Sequence, residues 1–151
     1  MHDNTDIKAL DYRRAETWEM DWAYHIFKSV MQSYIKKTWG WNELFQRHSF
    51  QENLPASSFT IISVDGVDIG GYCLKKKPDH LYLEMLLIDS VWQRQGYGTK
   101  IMQQLVLQAR SAKLPIKLSV LKNNPASAFY QTLGFVIENE DCYRFQLMLC
   151  Q

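Results

Sequence analysis

Long apolar runs are missing from this 151-residue sequence. No segment approaches the roughly 20 consecutive apolar residues that cross a bilayer, so a membrane-spanning helix is not expected. The opening Met1-His2-Asp3-Asn4-Thr5-Asp6 has no apolar stretch of the kind that directs export, and a cytoplasmic protein is the expectation. Cysteine is scarce. Cys73, Cys142 and Cys150 make an odd count without metal-type spacing, which favours free thiols and no bound metal. Charge of one sign is lacking too: 17 Lys and Arg against 16 Asp and Glu leave a net charge of +1. The densest basic cluster, Lys75-Lys76-Lys77, runs into Pro78 and Asp79 as a solvated turn would. That balance argues against nucleic acid and membrane partners and towards a small-molecule or local protein substrate. Repeats and low-complexity linkers are absent as well, so residues 1–151 read as one domain.

What is present suits a globular fold: 46% apolar and 13% aromatic residues, enough for a substantial core. Ile7 to Arg14 can form a first strand. Trp18, Trp22, Ile26, Val30 and Tyr34 follow at four-residue intervals, the spacing of an amphipathic helix. Gly40 interrupts it, and Asn42 is placed to cap a second helix reaching about Phe50. The period then changes. Phe59–Val64, the turn Asp65-Gly66 and Val67–Leu74 read as a hairpin. Lys75 to Asp79 supplies a turn into a leucine-rich strand, His80–Ile88, apolar enough to be central. Gly96 opens a helix through about Ala112 with Ile101, Met102, Leu105 and Ala109 on one face. A strand at Ile116–Leu121, a short helix at Ala126–Leu133 closed by Gly134, and a final hairpin (Phe135–Asn139, Tyr143–Leu149) complete the pass. A strand–helix–strand unit inside an antiparallel meander predicts an α/β fold, a mixed sheet with helices on both faces.

The most informative stretch is Gln93-Arg94-Gln95-Gly96-Tyr97-Gly98-Thr99, between an apolar strand and an amphipathic helix. The first amides of a helix have no intrahelical acceptor and carry the positive end of its dipole. Glycines there let the backbone approach an anion closely, so the loop can cradle a pyrophosphate. Ile101 stands where a dinucleotide fingerprint needs its third glycine, and the Gly-Lys-Ser/Thr of a nucleotide P-loop is missing.

Gln93-x-x-Gly96-x-Gly98 resembles the Gln/Arg-x-x-Gly-x-Gly/Ala signature of the GNAT acetyltransferase superfamily. Asn124-Pro125-Ala126-Ser127-Ala128-Phe129-Tyr130, with Gly134-Phe135 beyond, is similar to that family's second motif, a helix plus a strand downstream. The resemblance covers about Leu81 to Phe135, and the element order outside it agrees. It implies a central, mostly antiparallel sheet whose fourth and fifth strands splay apart, with the pantetheine arm of acetyl-CoA in the gap. By the same resemblance the backbone of Leu86, Leu87 and Ile88 would pair with that arm, as a free strand edge can. The loop from Gln93 through Arg94, Gln95, Gly96, Tyr97, Gly98 and Thr99 would hold the pyrophosphate, with Arg94 and Lys100 adding charge. Either Asn123 or Asn124 fills the family's asparagine role: spacing to the tyrosine selects the first, the Asn-Pro pairing the second.

The implied activity is transfer of an acetyl group from acetyl-CoA to an amine by direct attack in a ternary complex, without a covalent enzyme intermediate, so Cys73 and Cys142 are not nucleophiles. Tyr130 matches the tyrosine that protonates the departing thiolate. Glu84 is the carboxylate of the strand before the loop and the candidate base. Alternation puts it on the same side as Tyr82 and Leu86, and an ion pair with a lysine of the preceding strand is its competing role. The strand Ile116–Leu121, where other members carry the carboxylate, has none. The acceptor pocket would draw on Trp39-Gly40-Trp41-Asn42, with Trp39 and Trp41 as an aromatic wall and Tyr24, Tyr34 and Phe45 nearby. Trp18 and Trp22 suit packing between helices, and His25 and His48 form no metal set. The Trp-Gly-Trp pattern resembles a bacterial subgroup of unassigned substrate. A non-catalytic acyl-CoA-binding or regulatory module, or an enzyme acting on a protein amine, are the alternatives. A monomer or a homodimer would serve equally.

Overall fold

The computed structural model describes residues 7–150, and the polar start Met1–Asp6 lies outside them. The chain forms β1 (Asp11–Arg14), a 3₁₀ turn at Thr17–Glu19, α1 (Met20–Trp39), α2 (Glu43–Asn53), β2 (Phe59–Val64), β3 (Val67–Lys76) and β4 (Leu81–Ile88). It continues with α3 (Tyr97–Ala112), β5 (Ile116–Leu121), α4 (Ala126–Thr132), β6 (Val136–Glu140) and β7 (Arg144–Leu149). The seven strands make one sheet in the order β1-β2-β3-β4-β5-β7-β6, which puts β4 in the middle. Every neighbouring pair is antiparallel except β4 and β5.

Each face of the sheet carries its own core. Ile62, Tyr72, Leu83 and Leu118 meet α3, whose Ile101, Met102, Leu105 and Ala109 are fully buried along one stripe. Burying side chains of this size stabilises the fold by roughly 1.5–3 kcal/mol each for the larger ones. On the opposite face Phe59, Ile61, Cys73 and Leu87 meet Phe27 and Ile35 of α1 and Phe50 of α2. Asn42 caps α2 as expected, its Oδ1 accepting from the Phe45 amide at 3.0 Å, a contact worth about 1 kcal/mol. Asp65 and Gly66 both take positive φ, 51° and 78°, as a two-residue hairpin turn requires.

Three expectations are corrected. Residues 7–10 are not strand, because β2 offers partners only to Asp11–Arg14. Trp18 lies in the 3₁₀ turn, ahead of α1, and is 78% exposed rather than packed between helices. The third correction bears on chemistry. Cys73 pairs with Met85 and Leu74 with Leu83, so Glu84 is the extra residue of a β-bulge in β4. The bulge swaps the faces. Leu81 and Leu83 belong to the α3-side core, but Met85 and Leu87 pack on the α1 side, and Leu86 and Ile88 on the α3 side. Tyr82 and Leu86 therefore do not share a face, and simple alternation does not place Glu84.

Candidate active site

The site begins where β4 and β5 part. They pair only from Leu81–Leu83 to Ile116–Leu118, although β4 runs on to Ile88 and β5 to Leu121. The gap opens into a cavity of about 890 Å³ that passes between the strands from the α3 side of the sheet to the α1 side. Beyond the bulge, the Asp89 amide donates to the Ile69 carbonyl of the β2–β3 region at 2.8 Å. Antiparallel alternation then turns Leu87 back onto β3 and leaves the backbone of Leu86 and Ile88 facing the gap. Leu86 and Ile88 line the cavity, while Leu87 is core.

The loop after β4 is built on an unusual helix start. Arg94 and Gly96 adopt left-handed backbone, φ 62° and 92°, and Gly96 caps α3 without any side-chain hydrogen bond. The Lys100 amide reaches the Gly96 carbonyl, so those of Tyr97, Gly98 and Thr99 have no capping acceptor. Gly96, Gly98 and Thr99 line the cavity with Gln93 and Arg94. A Cβ at Gly98 would stand 3.4 Å from Phe129 and 3.5 Å from Ile88, ordinary contact distances, so the protein's own packing leaves this position room. Gln93 and Gln95 brace the loop through Nε2, donating to the carbonyls of Ile88 and Val91, both at 2.8 Å. The Tyr97 ring is buried against Trp92 and Lys100 Nζ contacts the Lys8 carbonyl, so neither side chain lines the cavity.

Two candidate reacting groups share this space. Tyr130 is buried between Phe129 and Phe135, with ring centres 5.2 and 5.7 Å away. Burial alone pushes its phenol well above the ordinary tyrosine range, so it stays protonated. Glu84 is half-buried on the cavity wall. Among the described residues it makes no ion pair, so the expected alternative partnership with a β3 lysine is not formed. The two asparagines divide. Asn124 is buried on the wall and its Oδ1 accepts from the Ala126 amide at 2.9 Å, fixing the start of α4. Asn123 faces α1, donating to the Tyr34 carbonyl at 3.1 Å and Thr38 Oγ1 at 3.2 Å. The tryptophans divide as well. Trp39 lines the cavity, whereas Trp41 stands apart, its indole donating to Glu43 Oε2 at 2.8 Å and packing on Phe27. Tyr34 lines the cavity, but Tyr24, Phe45, His25 and His48 do not.

The family described as "Acetyltransferase (GNAT) family" matches residues 15–135, most of the chain and all of the cavity lining except Arg144 and Gln146 of β7. The chain belongs to the GNAT family. Its sequence is 29% identical over 112 residues to YdhI of Bacillus subtilis (strain 168), covering 73% of this chain and 69% of that protein. Its fold is similar to that of the PaiA N-acetyltransferase from Thermoplasma acidophilum, solved in complex with coenzyme A (TM-score 0.72, 15% identity, 95% and 99% of the two chains). It also resembles the Escherichia coli ribosomal-protein-S18-alanine N-acetyltransferase (TM-score 0.70, 19% identity, 93% of each). No group of three or more His, Cys, Asp or Glu placed to hold a metal occurs among the described residues. No helix among them is long and apolar enough to cross a membrane.

This GNAT chain also brings to the site groups that the sequence reading did not single out. Arg144 and Gln146 of β7 and Ser119 of β5 line the cavity on the α1 side with Tyr82 of β4. The Arg144 guanidinium lies 4.6 Å from the centre of the Trp39 ring, closing the rim between α1 and the last hairpin. Ser119 and Gln146 are cross-strand partners. Only the β5–β7 pairing, which joins residues as far apart in the chain as Ser119 and Gln146, brings these side chains to the gap, and no local motif announces it.

Proposed function

We infer that this GNAT chain binds acetyl-CoA in the β4–β5 gap and transfers its acetyl group to an amine held on the α1 side of the sheet. One observation carries the reading. A single cavity joins the uncapped amides of α3, the open edge of β4, Tyr130 and Glu84, and then emerges beside α1. The first-turn amides of α3, with Arg94 at their mouth, suit a diphosphate. The Leu86 backbone and the Ile88 amide offer a free edge to an extended amide chain, the Ile88 carbonyl being held by Gln93. PaiA, similar in fold, was solved in complex with coenzyme A, which supports a coenzyme A thioester as the donor.

The chemistry follows from what the residues can hold. An amine arrives mostly as an ammonium, since its pKa lies near 10, and must lose a proton before it attacks. Glu84 takes that proton, directly or through one water. The nitrogen then bonds to the thioester carbonyl carbon, and the carbon–sulfur bond breaks. Tyr130 gives its phenolic proton to the leaving sulfur and is re-protonated by the second proton that the acylated nitrogen releases, while Glu84 passes its proton to solvent. Alignment of the reactants in one channel supplies much of the acceleration, and no covalent acetyl-enzyme is required. Asn124 holds α4, and hence Tyr130, at the gap. The test is titration with coenzyme A by calorimetry, followed by an amine panel with acetyl-CoA read by release of free thiol. Binding plus amine-dependent thiol release is expected. No heat with coenzyme A, or a stable acetyl-enzyme formed without acceptor, sinks the proposal.

A further inference from the structure

The α1-side mouth of the cavity has an uneven distribution of charge. Of the three charged side chains lining the whole cavity, Arg94 belongs to the α3 side, leaving Glu84 and Arg144 on the acceptor side. They have opposite signs, yet they do not pair with each other or with any other ionic side chain among the described residues. Both act on the Tyr82 phenol, which lines the same cavity: burial raises its pKa first, Glu84 raises it further, and Arg144 opposes. Arg144 is held by its face. The guanidinium rests on the Trp39 ring, and the Arg144 amide donates to Asp141 Oδ1 at 2.7 Å, fixing the start of β7. A guanidinium stacked in this way keeps its N–H edge free, and that edge matches the two oxygens of a carboxylate or phosphate. Ser119 Oγ, buried in the same wall, is without a hydrogen-bond partner. A buried hydroxyl left unsatisfied is costly, and a polar ligand would relieve it.

We propose that Arg144, stacked on Trp39, selects acceptors that carry an oxyanion on the same small molecule as the amine, so that the substrate is a zwitterion spanning Glu84 and Arg144. This rests on the transfer reading above and narrows it to a substrate class. The ammonium end points inward to Glu84, where it loses its proton. The oxyanion end stays at the rim on Arg144, a positioning contact outside the reacting atoms. An amine without the anion leaves the guanidinium nothing to bind and enters without orientation.

The experiment uses matched acceptors with the wild-type protein and acetyl-CoA: amino acids, their carboxamides, the same amines lacking the group, and aminoalkyl phosphates. The readout is kcat/KM by thiol release, after coenzyme A binding has been measured separately. The oxyanion-bearing amines are expected to exceed their neutral counterparts by about tenfold or more, as a charge-assisted hydrogen bond allows. The carboxylate and phosphate arms decide which oxyanion is taken. Arg144→Gln is expected to cut the anionic-to-neutral ratio by about tenfold, through KM rather than kcat, and Arg144→Lys to retain part of it. Equal kcat/KM for anionic and neutral amines in the wild type overturns the inference while leaving acetyl transfer intact. So does an Arg144→Gln variant that loses both series alike. Coenzyme A binding with no turnover of any amine overturns both proposals.

Discussion

Gln93 Nε2 donates to the Ile88 carbonyl at 2.8 Å and so fastens the glycine loop to the last residue of β4. The glutamine of the first motif thus acts on the protein's own backbone. It sets where the strand edge ends and where the α3 amides begin, two features that the proposed diphosphate and pantetheine contacts need in fixed register.

Removing that brace should loosen the site more than the fold. Gln93 is exposed, and one exposed hydrogen bond contributes about 0.5–1.5 kcal/mol. Gln93→Ala should lower thermal stability by no more than that and weaken coenzyme A binding by about three- to tenfold. Gln93→Glu should weaken it further, because a carboxylate cannot donate to Ile88 and repels a diphosphate. Calorimetric titration of both variants checks the order. Equal affinity in all three proteins would show that the brace does not position the loop.

Gly98 separates stability from binding. A side chain there meets only ordinary contacts from Phe129 and Ile88, and it occupies the first turn of α3, where a carboxylate is favoured by about 0.3–1 kcal/mol. Gly98→Glu should therefore keep the melting temperature close to wild type or raise it slightly. The same carboxylate would fill the place of the diphosphate and lower coenzyme A affinity by about a hundredfold or more. Retained affinity in a folded variant would remove the α3 amides from the donor site.

Much of this arrangement could be read from the sequence, and the parts that could not share a cause. The bounds of β2 and β5, the Asp65-Gly66 turn and the Asn42 cap came from local signals, and each has a local physical origin. Ile7 to Leu10 reads as strand by composition, but strand identity needs a partner. Ile7 instead packs its side chain over Gly96. The bulge at Glu84 is a mismatch between two strands, and neither strand declares it alone. Asn123 and Asn124 are equivalent by type. Which one faces the gap is decided by Tyr34 and Thr38 of α1, some 85 to 89 residues away. Trp41 is drawn off the wall by Glu43, a neighbour whose carboxylate also holds Tyr24.

Tyr130→Phe tests the proton donor without disturbing the core. The ring contacts with Phe129 and Phe135 survive, so stability should change by less than about 1 kcal/mol. Coenzyme A affinity should hold, while kcat falls by about a hundredfold, the usual range for a positioned acid. Because burial holds the phenol protonated well past the ordinary tyrosine range, Tyr130 should add no ionisation to the wild-type profile between pH 6 and 9. An unchanged kcat would leave Tyr130 as packing alone.

The last prediction concerns the frame behind the acceptor side. Arg13 Nη1 and Nη2 grip Glu19 Oε1 and Oε2 at 2.8 and 2.7 Å, and the Glu16 amide adds a third hydrogen bond at 3.0 Å. This clamp joins β1 to the turn that launches α1, with Glu19 only 5% exposed. The Arg13 bonds, ahead of the Glu16 amide, hold the Glu19 carboxyl below its ordinary range despite burial. A carboxyl with a lowered folded-state pKa binds fewer protons when folded than when unfolded. Its stabilisation is therefore present above the unfolded value, about 4.3, and fades as pH falls through the folded one. Glu19→Gln keeps the shape but loses the charge. It should cost about 1–3 kcal/mol at pH 7, below the figure for a fully buried pair because Arg13 is half exposed. At pH 3 the gap between wild type and variant should narrow as the wild-type carboxylate nears its own protonation. Urea unfolding at both pH values measures the two gaps, and a gap that stays constant would assign the clamp's effect to packing instead of charge.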